Sequence, residues 1–286
     1  MRNTLDTVVT QTILPTKWVI VDDGSTDDTP AILAEYAARH PWISVVTRRD
    51  RGHRAVGPGV IEAFYAGLET VNVDDYDYLC KLDLDLQLLP GYFEAMIQEM
   101  EKEPRLGNFS GKSYIRDGNG ALVSERLGDE NAIGASKFYR IAAYKAIGGF
   151  VREVCWDGID GHMLRMNSWI ARSEDRPDLR FIHLRQMGSS QHSLWIGRQR
   201  WGFGKYFMGS AWYYVAAVAV YRMVEKPYVL GGAGIMWGYL KSALARSPRF
   251  ENAEFRRFLR RYERNALFLG RRRALARTHR EQGIVS

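Results

Sequence analysis

Four apolar residues, Trp18-Val19-Ile20-Val21, run without a break into Asp22 and Asp23. The run has the length and β-branched content of a strand covered on both faces. Asp27 to Ala38 then takes helical spacing, with Thr26 or Asp27 as N-cap and Pro30 tolerated in the first turn. The alternation continues. Trp42 to Val46 is a short strand, and Gly59 to Thr70 is a helix patterned on Val60, Ala63, Phe64, Gly67 and Leu68. Tyr76 to Leu82 is a second buried strand, and Gly91 to Lys102 is an amphipathic helix. Strands alternating with helices of this length predict βαβ units and a mainly parallel, Rossmann-like sheet flanked by helices, an α/β fold. Beyond Gly107 the pattern loosens, with glycine-rich turns at Asp117 to Gly120 and at Gly148-Gly149.

Two further apolar runs, Gly209 to Met223 and Tyr228 to Leu240, are separated by Glu225-Lys226-Pro227. Each is shorter than the about 20 residues a bilayer span takes. They read as interfacial or re-entrant helices, or as a helical pair covering a cleft or a dimer contact. Charge sharpens that reading. The chain carries a net +7, yet from Lys241 onward 13 Lys plus Arg stand against 4 Asp plus Glu, so the remainder is slightly acidic. A basic tail behind Trp- and Tyr-rich helices fits a membrane surface. Nucleic acid is not expected as a partner, because the basic residues come without a recognisable binding fold. The two cysteines, Cys80 and Cys155, make no disulfide framework and suit a reducing, cytoplasmic setting, and Met1 to Thr12 has no apolar leader core.

The chemistry concentrates where strands end, which in open α/β sheets is where ligands bind. Asp22 and Asp23 close the first strand. In KLDLDLQLLP, Asp83 and Asp85 close the second, and their spacing of two puts both side chains on one face of an extended chain. Such carboxylates repel unless a cation joins them, and their oxygens suit Mg²⁺ or Mn²⁺ completed by water and substrate phosphate. Arg51 and Arg54 follow the strand-like run Ser44 to Thr47 and could reach a diphosphate through paired hydrogen bonds; His53 between them reads as a loop residue.

IVDDGSTDDT, followed some sixty residues later by LDLD and a proline, resembles the family 2 glycosyltransferases with the GT-A fold. The likeness extends to RDRGHRAVGPGVIEAFYAGL, to GASKFYRIAAYKAIGGF and to the WDGID segment, and covers roughly Asn3 to His192. It implies a metal-dependent, inverting transfer of a sugar from a nucleotide diphosphate, a UDP-sugar by preference, to a glycan or lipid-linked acceptor hydroxyl in polysaccharide or glycolipid synthesis. By the resemblance Asp23, with Asp22 beside it, contacts the uracil or ribose. Asp83 lies against the ribose and the metal's waters, and Asp85 holds the Mg²⁺ or Mn²⁺. His183, on the strand expected over Arg180 to Leu184, falls where some relatives place a further metal ligand. Family members usually begin with a strand that precedes the first helix; here TLDTVVTQTILP reads as the interior of that helix, so the first strand is expected to be missing and the nucleotide pocket to lack one wall.

Sugar transfer also needs a base for the acceptor hydroxyl. CWDGIDGHMLRM offers Asp157 and Asp160 at the head of a helix, where the dipole keeps a carboxylate ionised. The family's acidic pair leads, twelve positions on, to a Gly-aromatic step. Counting from Asp157 that step falls at Ser168-Trp169, which makes Asp157 the expected base and Asp160 the alternative. Gly134 to Phe150 resembles an acceptor-side helix with Tyr139 and Arg140 near the cleft. The organisation expected is a GT-A-like domain over 1–205, with a nucleotide-sugar half at 1–106 and an acceptor half at 107–205, followed by a helical, basic region at 206–286. The localisation that follows is cytoplasmic, peripheral on the inner face of the membrane. Two other readings remain: a nucleotidyltransferase, which also pairs a Rossmann-like sheet with carboxylate-bound Mg²⁺, and an impaired nucleotide-sugar-binding module.

Overall fold

The structure is a computed structural model that describes residues 1–52, 57–125, 127–185, 194–224 and 228–284. The first half runs α1 (Arg2–Val9), β1 (Trp18–Asp22), α2 (Thr29–Arg39), β2 (Ile43–Thr47), α3 (Pro58–Leu68), β3 (Tyr78–Leu82), β4 (Leu86–Leu88) and α4 (Tyr92–Lys102). It continues with β5 (Leu106–Ser110), β6 (Lys112–Arg116), β7 (Leu122–Ser124), β8 (Ser136–Arg140), α5 (Ile141–Ala146), α6 (Trp156–Met166), β9 (Ile170–Ser173) and β10 (Arg180–His183). Five helices follow: α7 (Leu194–Met208), α8 (Trp212–Met223), α9 (Leu230–Leu244), α10 (Ala253–Leu269) and α11 (Arg271–Glu281). Contacts divide the chain into two units, one of Met1–Glu153 with Ala171–Gln186, the other of Val154–Ile170 with Met187–Ser286. The sequence reading divides it instead at 205/206, because nothing in the local pattern tells that α6 joins the C-terminal helices.

In the first unit, β1 pairs in parallel with β2, Trp18 opposite Ile43 and Asp22 opposite Thr47. Leu5 of α1, Ile20, Leu33, Tyr36 and Ile43 form a buried cluster around that pair. Removing each such side chain from water is worth roughly 1.5–3 kcal/mol. Gly67 lets α3 lie directly on β1, since a Cβ there would come within 2.9 Å of a Val21 methyl. The N-cap of α2 is Asp28, one residue beyond the expected pair, and it makes no side-chain cap bond. Asp27 instead accepts from Thr29 N at 3.0 Å, and the hydrogen bonds from Thr29 hold its carboxyl below the usual range.

Two four-stranded sheets complete this unit, in the orders β4-β10-β6-β7 and β3-β8-β5-β9. The α/β class stands, but the pairing is mixed rather than mainly parallel. Besides β1–β2, β10 runs parallel to β6; β10–β4, β3–β8, β5–β8 and β6–β7 are antiparallel. The cause is β8. Gly134 to Phe150, expected as one helix, opens with Ser136–Arg140 laddered on both sides by β3 and β5, and only then turns into α5. Backbone groups paired on two flanks outweigh the helical spacing of one segment.

The second unit is helical. Glycines set its closest approach: a Cβ on Gly238 of α9 would stand 2.0 Å from the Gln199 carbonyl oxygen of α7, and one on Gly202 of α7 2.0 Å from the Ile235 carbonyl oxygen. α10 starts at Asn252, whose side chain accepts from Phe255 N at 2.8 Å. It buries Phe255, Phe258, Leu259 and Tyr262 while its arginines at 257, 260, 261 and 264 face out. His162 of α6 sits against the rings of Phe255, Phe258 and Tyr262.

Candidate nucleotide-sugar site

Strand β1 ends on two carboxylates of different character. Asp22 is 2% exposed. Its Oδ1 accepts from Ser25 N at 2.9 Å, closing the turn after the strand, while Oδ2 is buried without a hydrogen-bond partner among the described residues. Asp23 is gripped by two guanidinium groups, Arg48 at 2.8 Å and Arg51. Arg51 in turn reaches Glu62 of α3 at 2.7 Å. The loop after β2 comes this close because residue 24 is glycine. Gly24 has φ +86, and a Cβ on it would lie 2.4 Å from the Asp50 Cα. Asp50 also accepts from Gly52 N at 2.8 Å, a local turn that carries Arg51. Arg51, expected to reach a diphosphate, is engaged by the two carboxylates of Asp23 and Glu62; His53 and Arg54 lie outside the described residues.

The second acidic step follows β3. Asp83 N donates to Ala135 O at 2.8 Å, continuing the β3–β8 ladder, and the chain then turns at Leu84-Asp85. Leu84 packs against the apolar cluster that contains Ile20, tying this turn to β1. Both carboxylates have basic partners. The ammonium of Lys81, itself nearly buried, bonds Asp83 and donates to Gly134 O at 2.8 Å. Arg185 donates to Asp85 Oδ2 through Nη2 at 2.9 Å and Nε at 3.2 Å. Each carboxylate therefore faces an opposite charge. Lys81 was legible, lying two residues before Asp83 on the same strand face; Arg185, a hundred residues on, was not.

His183 ends β10 beside this turn, with Leu184 N donating to Asp85 O at 2.8 Å. Its Nδ1 lies 2.5 Å from Glu125 Oε2, both side chains nearly buried, and its ring packs on Phe181. Among the described residues no three His, Cys, Asp or Glu side chains gather as a metal cluster. Tyr139 is buried in an aromatic cluster with Tyr144 and Phe150, and Arg140 donates to Met100 O at 2.6 Å.

Asp157 and Asp160 belong to the second unit, on α6. The helix begins at Cys155, in the left-handed region at φ 66. Asp157 is exposed in the first turn; Asp160 is 2% exposed and accepts from Gly161 N at 2.5 Å. The helix ends before Ser168, whose φ of 60 lies in the left-handed region that glycine adopts without cost. Deeper on α6, burial and the charges of Arg165 and Lys205 push His162 well below its ordinary value. Burial, with Arg165 alongside, pulls His279 down to about 4.

Residues 1–145 match the glycosyl transferase family 2 profile, and the chain belongs to that family. It is 27% identical over 123 residues to a poly-beta-1,6-N-acetyl-D-glucosamine synthase of Staphylococcus epidermidis, covering 43% of this chain and 27% of that protein. It is 26% identical over 202 residues to a beta-monoglucosyldiacylglycerol synthase of Synechocystis, covering 65% of this chain and 40% of that one. The chain thus spans well under half the length of either relative. Among solved structures, the mannosyltransferase PcManGT of Pyrobaculum calidifontis, in complex with GDP-Man and Mn²⁺, aligns at 15% identity and a TM-score of 0.49, covering 99% of this chain and 81% of that one.

Proposed function

We propose that the chain transfers a sugar from a nucleotide diphosphate donor, a UDP-sugar by preference, to an acceptor hydroxyl with inversion. The observation that carries this reading is Asp22 Oδ2, a buried carboxylate oxygen with no partner among the described residues at the end of a family 2 strand. Buried polar atoms are nearly always paired, so an N–H or O–H of a bound nucleoside is a fitting partner. Asp23 shares that work, held in place by Arg48 and Arg51, and Asp83 would face the ribose. Asp85 would hold Mg²⁺ or Mn²⁺, with His183 joining through Nε2, since Nδ1 is taken by Glu125. One carboxylate and one imidazole, short of a full protein cage, fit such an ion, which completes its shell with diphosphate and water. When bound, the cation neutralises charge on the departing diphosphate.

Asp157 serves as general base. As the acceptor oxygen bonds to the anomeric carbon, its proton passes to the Asp157 carboxylate and the bond from that carbon to the diphosphate breaks on the opposite face. Asp160 holds the start of α6, or takes the base's place if the two roles are exchanged. The relatives named for a glucosamine polymer and for a glycolipid favour a glycan or lipid-linked acceptor. The same reading puts the work in the cytoplasm, at the inner face of the membrane, which suits two cysteines that form no disulfide. The test is ligand-induced melting. UDP with Mn²⁺ should raise Tm by several degrees, UMP without metal much less, and Asp85→Asn should remove the metal-dependent part and abolish transfer. An Asp85→Asn protein with wild-type transfer overturns the metal assignment. Release of pyrophosphate instead of UDP would favour a nucleotidyltransferase.

A further inference from the structure

Helix α8 exposes a stripe without a single charge. Tyr213, Ala217, Val220, Tyr221 and Val224 recur at helical spacing and all face outward, where a helix of a water-soluble domain carries polar residues. Further exposed apolar residues flank residues 225–227 on both sides. Val220, Tyr221, Val224, Tyr228, Val229 and Leu230 are each at least 60% exposed. On α9 the outward side adds Trp237, Leu240 and Leu244, while the opposite side is taken up by glycine contacts with α7. These helices have 12 and 15 residues, too short to span the about 20-residue hydrocarbon layer.

We propose that the outward face of the α8–α9 hairpin, helped by the arginines of α10 and α11, seats the chain on an anionic lipid bilayer, the hairpin lying in the headgroup region. This rests on the membrane-surface contact included in the proposed function and assigns it to named residues. The aromatic content suits the interface, where Tyr and Trp place an apolar body and a polar tip. Charge selects the occupant. With 13 Lys plus Arg against 4 Asp plus Glu from Lys241 onward, a second copy of this unit would be repelled, whereas an anionic leaflet attracts it.

The test is flotation of the whole chain with vesicles of phosphatidylcholine alone, or mixed with phosphatidylglycerol. The wild-type chain should bind the mixed vesicles roughly tenfold or more tightly than the neutral ones, and lose that preference in high salt. The variant Tyr221→Ser, Val224→Asp, Leu230→Asp changes only exposed positions. It should lose roughly tenfold or more in vesicle binding at unchanged Tm and with the UDP–Mn²⁺ melting shift intact. That shift, read on the same proteins, reports the sugar-transfer reading separately. Equal vesicle binding by variant and wild type overturns the proposal, as does equal binding of wild type to both vesicles. A dimer that the variant dissociates, with no vesicle binding by the wild type, would give the face to a second copy.

Discussion

Asp157→Asn and Asp160→Asn separate chemistry from architecture, because the two carboxylates stand one helical turn apart in opposite environments. Asp157 is exposed in the first turn of α6. An amide there keeps the shape, and the loss of a charge near the helix N-terminus contributes about 0.3–1 kcal/mol. For a chain of this size about 1 kcal/mol corresponds to about 2–4 °C, so Tm should fall by no more than that. The loss of a general base should nevertheless lower kcat by roughly a hundred- to ten-thousandfold, with donor binding intact. Asp160 is 2% exposed and bonded to Gly161 N. Its replacement disturbs a buried hydrogen-bonded carboxylate, about 1–3 kcal/mol, and should lower Tm by about 2–10 °C with a smaller effect on kcat. The assays are steady-state transfer and thermal melting on the same preparations. Loss of turnover in Asp160→Asn with near-normal turnover in Asp157→Asn would exchange the roles. Normal turnover in both refutes the assignment of the base to α6.

Three further outcomes are expected. Asp23→Ala removes a group that two arginines hold and should raise donor KM about tenfold or more with little change in kcat; unchanged donor affinity would reduce Asp23 to a structural anchor for Arg48 and Arg51. Gly111→Ala should lower Tm by about 10 °C or prevent soluble expression, because its Cβ would stand 1.4 Å from the Leu179 carbonyl oxygen and force β6 and β10 apart. Acid should destabilise the second unit. Burial lowers His279 to about 4 in the folded chain against an ordinary 6.5, so its contribution is complete above about pH 6.5 and is lost as pH falls toward 4; His162, lowered by burial, acts in the same sense. Screening at the half-buried His279 limits its share to about 1–2 kcal/mol. Glu263, raised by burial, works in the opposite sense, and His279→Gln should flatten the urea midpoint between pH 7 and 5.

The βα repeat of the first hundred residues was legible because each element carries its own signal. The apolar run at 18–21, the turn that Gly24 allows and the spacing of α2 are all local. The acidic ends of β1 and β3 were legible for the same reason. What escaped was set by partners distant in sequence. Ser136–Arg140 reads as part of a helix until β3 and β5 are both beside it. Arg185 and Glu125 meet Asp85 and His183 across 100 and 58 residues. The burial of Asp22 and the exposure of Asp157 have no local signal at all, since either residue could close a turn or cap a helix.

The place of β10 has a consequence for how the chain can be made. It lies between β4 and β6, and its residues, Arg180–His183, come long after Leu86–Leu88 and Lys112–Arg116 have been synthesised. On the ribosome those strands must wait with open edges while α6, which belongs to the other unit, is produced. The sheet closes late, through contacts of high sequence separation, and such topologies fold slowly and risk edge-to-edge association in the interval. Arg185 is delivered to Asp85 by that same event. A fragment ending before residue 180 would contain every carboxylate of the proposed site yet leave β4 unpaired and β6 with one open edge, and aggregation rather than weak activity is its expected fate.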